Sequence, residues 1–225
     1  MKKLILLNSI FLTLLISNFG IAQLQVTTQE NYKGLTFINV ETQTGIYKGN
    51  AAVYGKQKGS EEGSGLIIIN DIEFSTGVIE FDLAGSRAAD APAQMRGFLG
   101  LAFRISEDNS SYDCFYLRAL NGRSDNQLQR NHTVQYIAPP DFEWSKLREE
   151  SPGVYETYVD MVPKEWTHVK IIVEENRAEI YVHNATQPTM IVNSLLGKEK
   201  SGKLALWVGP GTDAFFANLK ITKLK

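Results

Sequence analysis

A pair of carboxylates, Glu80 and Asp82, comes first among the residues of this 225-residue chain that could do chemistry. They lie two residues apart in a run, residues 78–83, in which apolar and polar side chains alternate. In an extended strand this spacing points both side chains to one face, about 6–7 Å apart. Two carboxylates near that separation can act as acid and as nucleophile or base in glycoside hydrolysis. We therefore predict Glu80 and Asp82 as candidate catalytic residues.

Neighbouring runs place arginine and aromatic side chains opposite their apolar residues. In residues 98–105, for example, Gly100, Ala102 and Arg104 point away from the apolar face. Aromatic rings offer platforms to the apolar face of a sugar, and polar groups beside them hydrogen-bond its hydroxyls. The predicted substrate-binding residues, on one concave face with the carboxylates, are Arg104, Tyr112, Tyr116, Arg118, His132, Gln135, Trp144, Lys146 and Arg148. The alternative is a solvent-exposed sheet laced by cross-strand ion pairs, such as Asp82 with Arg118.

Short strands must position these residues. About a dozen runs alternate with period two, and clusters of Gly, Asn and Pro separate them. This pattern predicts an all-β domain, either a two-sheet antiparallel β-sandwich or a barrel. Three longer connections, residues 84–96, 121–132 and 149–164, are where such a scaffold usually carries binding specificity.

The segment from His132 to Arg148 has the least generic sequence. Its polar and aromatic residues alternate on both sides of Pro139-Pro140. We predict two strands here, residues 133–137 and 143–148, with the proline pair fixing the corner between them. One wall of the sugar-binding face would then come from this segment; the alternative is a plain hairpin with a rigid turn.

Several stretches resemble one known superfamily. Residues 165–173 (EWTHVKIIV), a hairpin and residues 178–182 (AEIYV) resemble a strand pair of concanavalin A-like jelly rolls, and residues 202–209 with 216–221 resemble their closing strands. The likeness extends from about residue 35 onward and is nearest to laminin-G-like and 3-keto-disaccharide-hydrolase-like domains exported by Bacteroidetes-type bacteria. It implies a jelly-roll sandwich. Because the superfamily includes lectins, carbohydrate-binding modules, glucanases and polysaccharide lyases, it implies a carbohydrate-directed function without choosing among them.

Two enzyme classes of this superfamily are matched only in part. A glucanase of this fold would carry Glu-x-Asp-x-x-Glu on one strand, but the third position here is Gly85. A lyase would pair a Tyr or His base with Arg and Gln that neutralise a uronate. Those types are present, although the expected Gln-Ile-His is replaced by Gln-Tyr-Ile; they are Tyr116, Arg118, His132 and Gln135.

Three functional hypotheses therefore remain open. The first is a glycan-directed enzyme, with glycoside hydrolysis as one form of it. The second is a non-catalytic, lectin-like carbohydrate-binding module, and the third is a laminin-G-type interaction domain. All but the last predict an oligo- or polysaccharide as partner.

Other ligands are disfavoured by composition. The formal net charge is −2 and no block is rich in Lys and Arg, which argues against a nucleic-acid partner. We predict no cofactor; the alternative is a structural calcium ion, for which Asp213 and Asn218 offer oxygen ligands. The sequence does not define an oligomeric state.

The N-terminus predicts export. Lys2 and Lys3 precede an apolar run, residues 4–16, and Gly20 and Ala22 suit a cleavage site before Gln23. Residues 1–22 are thus a predicted signal peptide and residues 23–225 a single domain, periplasmic or extracellular. No Cys follows the cleavage site, so a lipoprotein is not predicted. The one cysteine, Cys114, lies in an apolar run and is expected to be buried rather than nucleophilic.

Overall fold

The computed structural model describes residues 23–25, 34–58 and 63–223, so the predicted signal peptide lies outside it. Its strands are β1 (Gln23–Gln25), β2 (Leu35–Ile38), β3 (Val40–Tyr47), β4 (Asn50–Gln57), β5 (Gly65–Phe74), β6 (Gly77–Arg87), β7 (Phe98–Ile105), β8 (Asp113–Arg118), β9 (Val134–Ile137), β10 (Glu156–Thr157), β11 (Thr167–Val173), β12 (Ala178–Val182), β13 (Met190–Val192), β14 (Gly202–Val208) and β15 (Thr212–Lys223). The helices are α1 (Gln127–Asn131) and α2 (Trp144–Glu150). Neither of these two helices is long and apolar enough to span a membrane.

Two antiparallel sheets stack face to face, which confirms the predicted β-sandwich. Sheet I has the order β13-β12-β11-β6-β15-β4-β3, with β1 beside β15. Sheet II has the order β10-β9-β8-β7-β14-β5-β2. The chain passes from sheet II to sheet I at Asn39, whose positive φ of 49° turns it between β2 and β3. Residues on the two sides of Asn39 therefore belong to different sheets.

The core lies between the sheets, where strand alternation predicted it. On β6, Ile79, Phe81 and Leu83 are buried and the residues between them are half-exposed. Phe103 of β7 packs edge-to-face on Phe74 and stacks with Phe115 of β8. Each buried aromatic or aliphatic side chain contributes about 1.5–3 kcal/mol. This core holds the fold without a disulfide, and Cys114 is free and buried as expected.

The predicted strand over residues 143–148 is wrong, because this segment forms helix α2. β10 already pairs with β9, so this edge of sheet II is taken by another segment. Residues 146–150 are Lys, Leu, Arg, Glu and Glu, all strong helix formers. A period-two pattern over six residues is too short to exclude a helix, and only Leu147 of α2 is buried.

Candidate functional site

The predicted catalytic pair lies on the outward face of sheet I. Asp82 Oδ1 is 2.7 Å from His168 Nδ1, and Asn218 Nδ2 donates to Asp82 Oδ2 at 2.6 Å. Glu80 lies 3.3 Å from Lys220 Nζ. β6 belongs to sheet I, whereas β7 and β8 belong to sheet II. The prediction that these carboxylates share one face with the arginines is therefore wrong, since the outward faces of the two sheets are on opposite sides of the sandwich.

Arg104 is also displaced from the predicted face. It has a positive φ of 53° where the pairing of β7 with β14 shifts register, so the strand alternation is interrupted there. Its buried guanidinium donates to the carbonyl oxygens of Ser75, Glu174 and Glu175 at 2.7–3.0 Å. Arg104 thus fastens the β5–β6 connection to the β11–β12 hairpin turn and does not line the cleft described below.

A cleft of about 920 Å³ opens on the outward face of sheet II. One row of paired residues crosses four strands beneath it: Trp207, Gly100, Tyr116 and Gln135. Trp207 and Tyr116 of this row line the floor. The rings of Trp207 and Tyr116 stack 4.8 Å apart across Gly100, whose missing side chain leaves them room to meet. The Trp207 Nε1–H donates to the Tyr112 hydroxyl at 3.2 Å, which fixes the indole. The volume lies within the range of small-molecule sites, about 300–1,000 Å³.

Two of the three long connections supply residues that line this cleft. The first supplies Gln94, Met95 and Arg96, and the second supplies Asn121 and Gln129. The third carries Glu156, which pairs opposite Gln135 as part of β10. The structure adds six residues around the cleft that were not predicted, because they lie in loops or in the short elements α1 and β10, which no periodicity in the sequence marks: Gln94, Met95, Arg96, Asn121, Gln129 and Glu156.

Arg118 lies in the floor and is 5% exposed. Nη1 donates to the carbonyl oxygen of His132 at 2.7 Å, and Nη2 donates to the Tyr116 hydroxyl at 2.8 Å and to Gln135 Oε1 at 3.2 Å. The four residue types of the lyase alternative therefore lie together, with Arg118 in contact with the other three. Burial lowers the pKa of the Arg118 guanidinium. Burial likewise raises the pKa of Tyr116 to about 12, so the phenol is protonated at neutral pH.

A second polar cluster surrounds Glu156, whose side chain is 4% exposed. Arg148 donates to both carboxylate oxygens, from Nε and Nη2, at 2.7–3.1 Å. His132 Nε2 lies 3.1 Å from Oε1. Burial lowers the pKa of His132, against the opposing effect of Glu156. This carboxylate is thus held between two basic groups.

The rim of the cleft comes from the start of α2. Trp144 is 45% exposed, and the Arg148 guanidinium lies 4.9 Å from the centre of its ring. These residues are four apart, so the helix brings them into contact, whereas a strand would have placed them on one face but about 13 Å apart. Lys146 instead lies over the Phe142 ring at 4.9 Å and does not line the cleft. Glu143, not predicted as a site residue, lines the cleft, and desolvation raises the pKa of its carboxyl.

The suggested calcium ligands are engaged elsewhere. Asp213 accepts a hydrogen bond from the Tyr54 hydroxyl at 2.6 Å, and the Asn218 amide donates to Asp82. In residues 34–58 and 63–223, no group of three or more His, Cys, Asp or Glu side chains is arranged to hold a metal ion.

Several solved structures are similar to this one in fold. The carbohydrate-binding module CBM66 from Bacillus subtilis is similar at 18% identity and a TM-score of 0.58, over 83% of this chain and 94% of the module. A candidate glycosyl hydrolase from Parabacteroides distasonis is similar at 13% identity and a TM-score of 0.53, over 87% and 91%. A galectin-like protein of unknown function from Bacillus subtilis follows at 11% and 0.54, over 85% and 90%. No protein-family model and no curated protein matches the chain.

These likenesses are to structures of low sequence identity, so they show the fold alone. They confirm the fold expected from the sequence motifs that form β11, β12, β14 and β15. The chain has a concanavalin A-like jelly-roll fold.

Proposed function

We propose that the protein binds a saccharide in the cleft on sheet II. The observation that carries this proposal is the pairing of a half-exposed indole, Trp144, with a wall of buried polar groups. An indole offers a flat apolar surface to the CH face of a sugar ring. The guanidinium and amide groups below it suit the hydroxyl rim, and the cleft is large enough for about two or three sugar units. The fold likeness to CBM66 agrees with this choice.

The outward face of sheet I supports binding less well. Its carboxylates are already satisfied by His168, Asn218 and Lys220. Pairs of this exposed kind are common on solvated sheets and are worth about 0–1 kcal/mol each. We therefore no longer expect Glu80 and Asp82 to act on a sugar held in the cleft.

Trp144→Ala tests the proposal. Loss of the ring should weaken retention on an oligosaccharide array or in affinity electrophoresis by roughly 30-fold, which corresponds to the removal of a central aromatic contact. Trp166→Ala is the matched control, because Trp166 packs on Tyr47 beside sheet I and does not line the cleft. Unchanged retention in Trp144→Ala would contradict saccharide binding in the cleft and favour a laminin-G-type interaction domain.

Glycoside hydrolysis is the second candidate, and Glu143 is the residue that favours it. A carboxyl with a raised pKa stays protonated to higher pH and can donate a proton to a leaving-group oxygen. Among the described residues, the other carboxylate near the cleft is Glu156, which is tied to Arg148 and His132. A hydrolase of this kind would lose turnover in Glu143→Gln while retaining ligand. If the unaltered protein retains an oligosaccharide but releases no shorter products from it, hydrolysis is contradicted and only the binding function is supported.

Export remains part of the proposal. Cleavage before Gln23 should give a mature chain that starts with residues 23–25, the segment that forms β1. N-terminal sequencing of the protein from a culture supernatant or periplasmic fraction tests this. A mature chain that still begins at Met1 would contradict it.

A further inference from the structure

We propose that the floor of the cleft holds a subsite for an acidic sugar, in which Arg118 binds a carboxylate or sulfate group and Asn121 accepts a hydrogen bond from a neighbouring hydroxyl. This inference rests on the proposed saccharide binding and names the chemical class of the ligand. Two independent features of the described residues carry it.

The first feature is a buried cation without an anion. A guanidinium has five N–H donors. Within residues 34–58 and 63–223, three of those of Arg118 reach acceptors, and all three acceptors are neutral: a carbonyl, a phenol and an amide oxygen. No carboxylate of this region lies within ion-pair distance of Arg118. Burying a charge in this way is unfavourable unless an opposite charge compensates it.

The charges around Arg118 provide that compensation only in part, because Glu156 acts on the guanidinium without contacting it. Glu156 already binds Arg148 and His132. Arg96 adds a third guanidinium to the cleft wall, and its side chain is half-buried. Among the described residues around the cleft, three guanidinium groups and His132 therefore stand against two carboxylates, those of Glu143 and Glu156. An anion entering the floor would complete the charge balance, whereas a neutral sugar would not.

The second feature is an amide oxygen without a donor. Asn121 is 3% exposed and lines the cleft. Its Nδ2 donates to the carbonyl oxygen of His132 at 3.2 Å, the same oxygen that receives Arg118. Its Oδ1 accepts no hydrogen bond from the residues the structure describes. Turning the amide over would set Oδ1 against that carbonyl oxygen, so the acceptor is correctly assigned.

Together these features match the pattern of an acidic sugar. Arg118 and Asn121 share one carbonyl and therefore lie side by side. A uronate or a sulfated sugar carries an anionic group and free hydroxyls on the same ring. The anion would accept charge-assisted hydrogen bonds from Arg118, and the hydroxyl would donate to Asn121 Oδ1.

The experiment compares acidic polysaccharides with their neutralised forms. Affinity electrophoresis of the full mature chain is run in polygalacturonate, in alginate and in each polymer after reduction of its carboxyl groups, and in a sulfated galactan with its desulfated form. These pairs keep the linkage and remove the charge. We expect retention to be at least about tenfold stronger on one or more acidic forms than on the matched neutral form, as for a charge-assisted pair. That preference should weaken at high salt.

Two variants locate the effect. Arg118→Gln should abolish the preference for the acidic form, and Asn121→Asp should reverse it, because it adds a negative charge beside the anion. Asn184→Asp is the control, since it adds the same charge on an exposed turn. Denaturation curves for each variant separate a lost site from a lost fold, and Asn121→Asp keeps the inference testable if Arg118→Gln does not fold.

The outcomes separate the two levels of proposal. Equal retention on acidic and neutral forms, abolished in Trp144→Ala, would overturn the acidic subsite and leave saccharide binding standing. If none of the polymers retains the protein, the acidic subsite is overturned. If Trp144→Ala does not change binding on a neutral oligosaccharide array, saccharide binding itself is overturned. A preference for the sulfated galactan alone would support the subsite and assign it to sulfate.

Discussion

The outward faces of the two sheets differ in what covers them. On sheet I, β6, β11 and β12 alternate between buried and half-exposed residues, so their outward side chains meet water. On sheet II, every residue of β8 and β9 is buried. The long loops and α2 lie over these strands and turn the sheet surface into the floor of a cleft. On the open face of sheet I, charged side chains pair with each other. On sheet II, buried polar side chains hydrogen-bond to the loops that cover them or remain able to bind a ligand.

The largest expected difference is in the stability lost when a glycine of each sheet is replaced by alanine. A Cβ at Gly100 of sheet II would overlap the carbonyl oxygen of Phe115 and lie 2.6 Å from the Tyr116 Cα. Gly100→Ala must push β7 and β8 apart, so we expect the free energy of unfolding to fall by about 3 kcal/mol. At Gly45 on β3 of sheet I nothing lies within 4 Å of such a Cβ. Gly45→Ala should change stability by less than about 0.5 kcal/mol in urea unfolding. Equal effects would mean that sheet II is not packed more tightly at its outward face.

The second largest expected difference is in the stability lost when a carboxylate on each sheet is neutralised. Glu156→Gln removes a buried anion from Arg148 and His132, and we expect a loss of about 2 kcal/mol, since Arg148 is partly solvated. Asp82→Asn on sheet I leaves a half-exposed histidine and should cost about 0–1 kcal/mol. Urea unfolding of both variants at neutral pH gives the comparison. A larger loss for Asp82→Asn would reverse the ranking of the two surfaces.

The smallest expected effect is a pH dependence on the inner side of sheet II. Burial raises the pKa of Asp113 above its ordinary 3.8, against the opposing effects of hydrogen bonds from Tyr136 and Gly197 and of the Arg104 charge. The folded chain therefore keeps this proton to higher pH than the unfolded chain does. Its contribution to the free energy of unfolding is largest below pH 3.8 and falls as pH rises through the raised folded value.

Asp113→Asn should remove this slope. Urea unfolding of both proteins between acidic and neutral pH measures it, and we expect the curve of the variant to be flatter by an amount on the order of 1 kcal/mol. Parallel curves would show that Asp113 does not hold its proton. Tyr136→Phe is a useful companion, since the Tyr136 hydroxyl donates to Asp113 and accepts from the Leu196 N–H.

Sequence reasoning located most strands because alternation reports burial directly. It could not tell which sheet each strand joins, since that depends on pairing between distant segments. β6 and β7 are neighbours along the chain, and their outward residues were therefore predicted to share one face, although the two strands lie in different sheets. Local alternation also does not reveal the register shift at Arg104 or the helix that carries Trp144.

The predicted site was therefore recovered in part. Tyr116, Arg118, His132, Trp144 and Arg148 line the cleft, and Gln135 supports Arg118 beneath it. Glu143, Asn121 and Glu156 were missed because their roles come from loops folded over the sheet. The run of strong helix formers over residues 146–150 is a signal that could have suggested a helix here.

The most direct test follows the indole N–H signals during a saccharide titration. The chain has three Trp residues. Trp144 and Trp207 line the cleft on sheet II, and Trp166 packs on Tyr47 beside sheet I. In a ¹H–¹⁵N spectrum, a retained oligosaccharide should shift the Trp144 and Trp207 signals and leave the Trp166 signal in place. A shift of the Trp166 signal alone would contradict binding in the cleft.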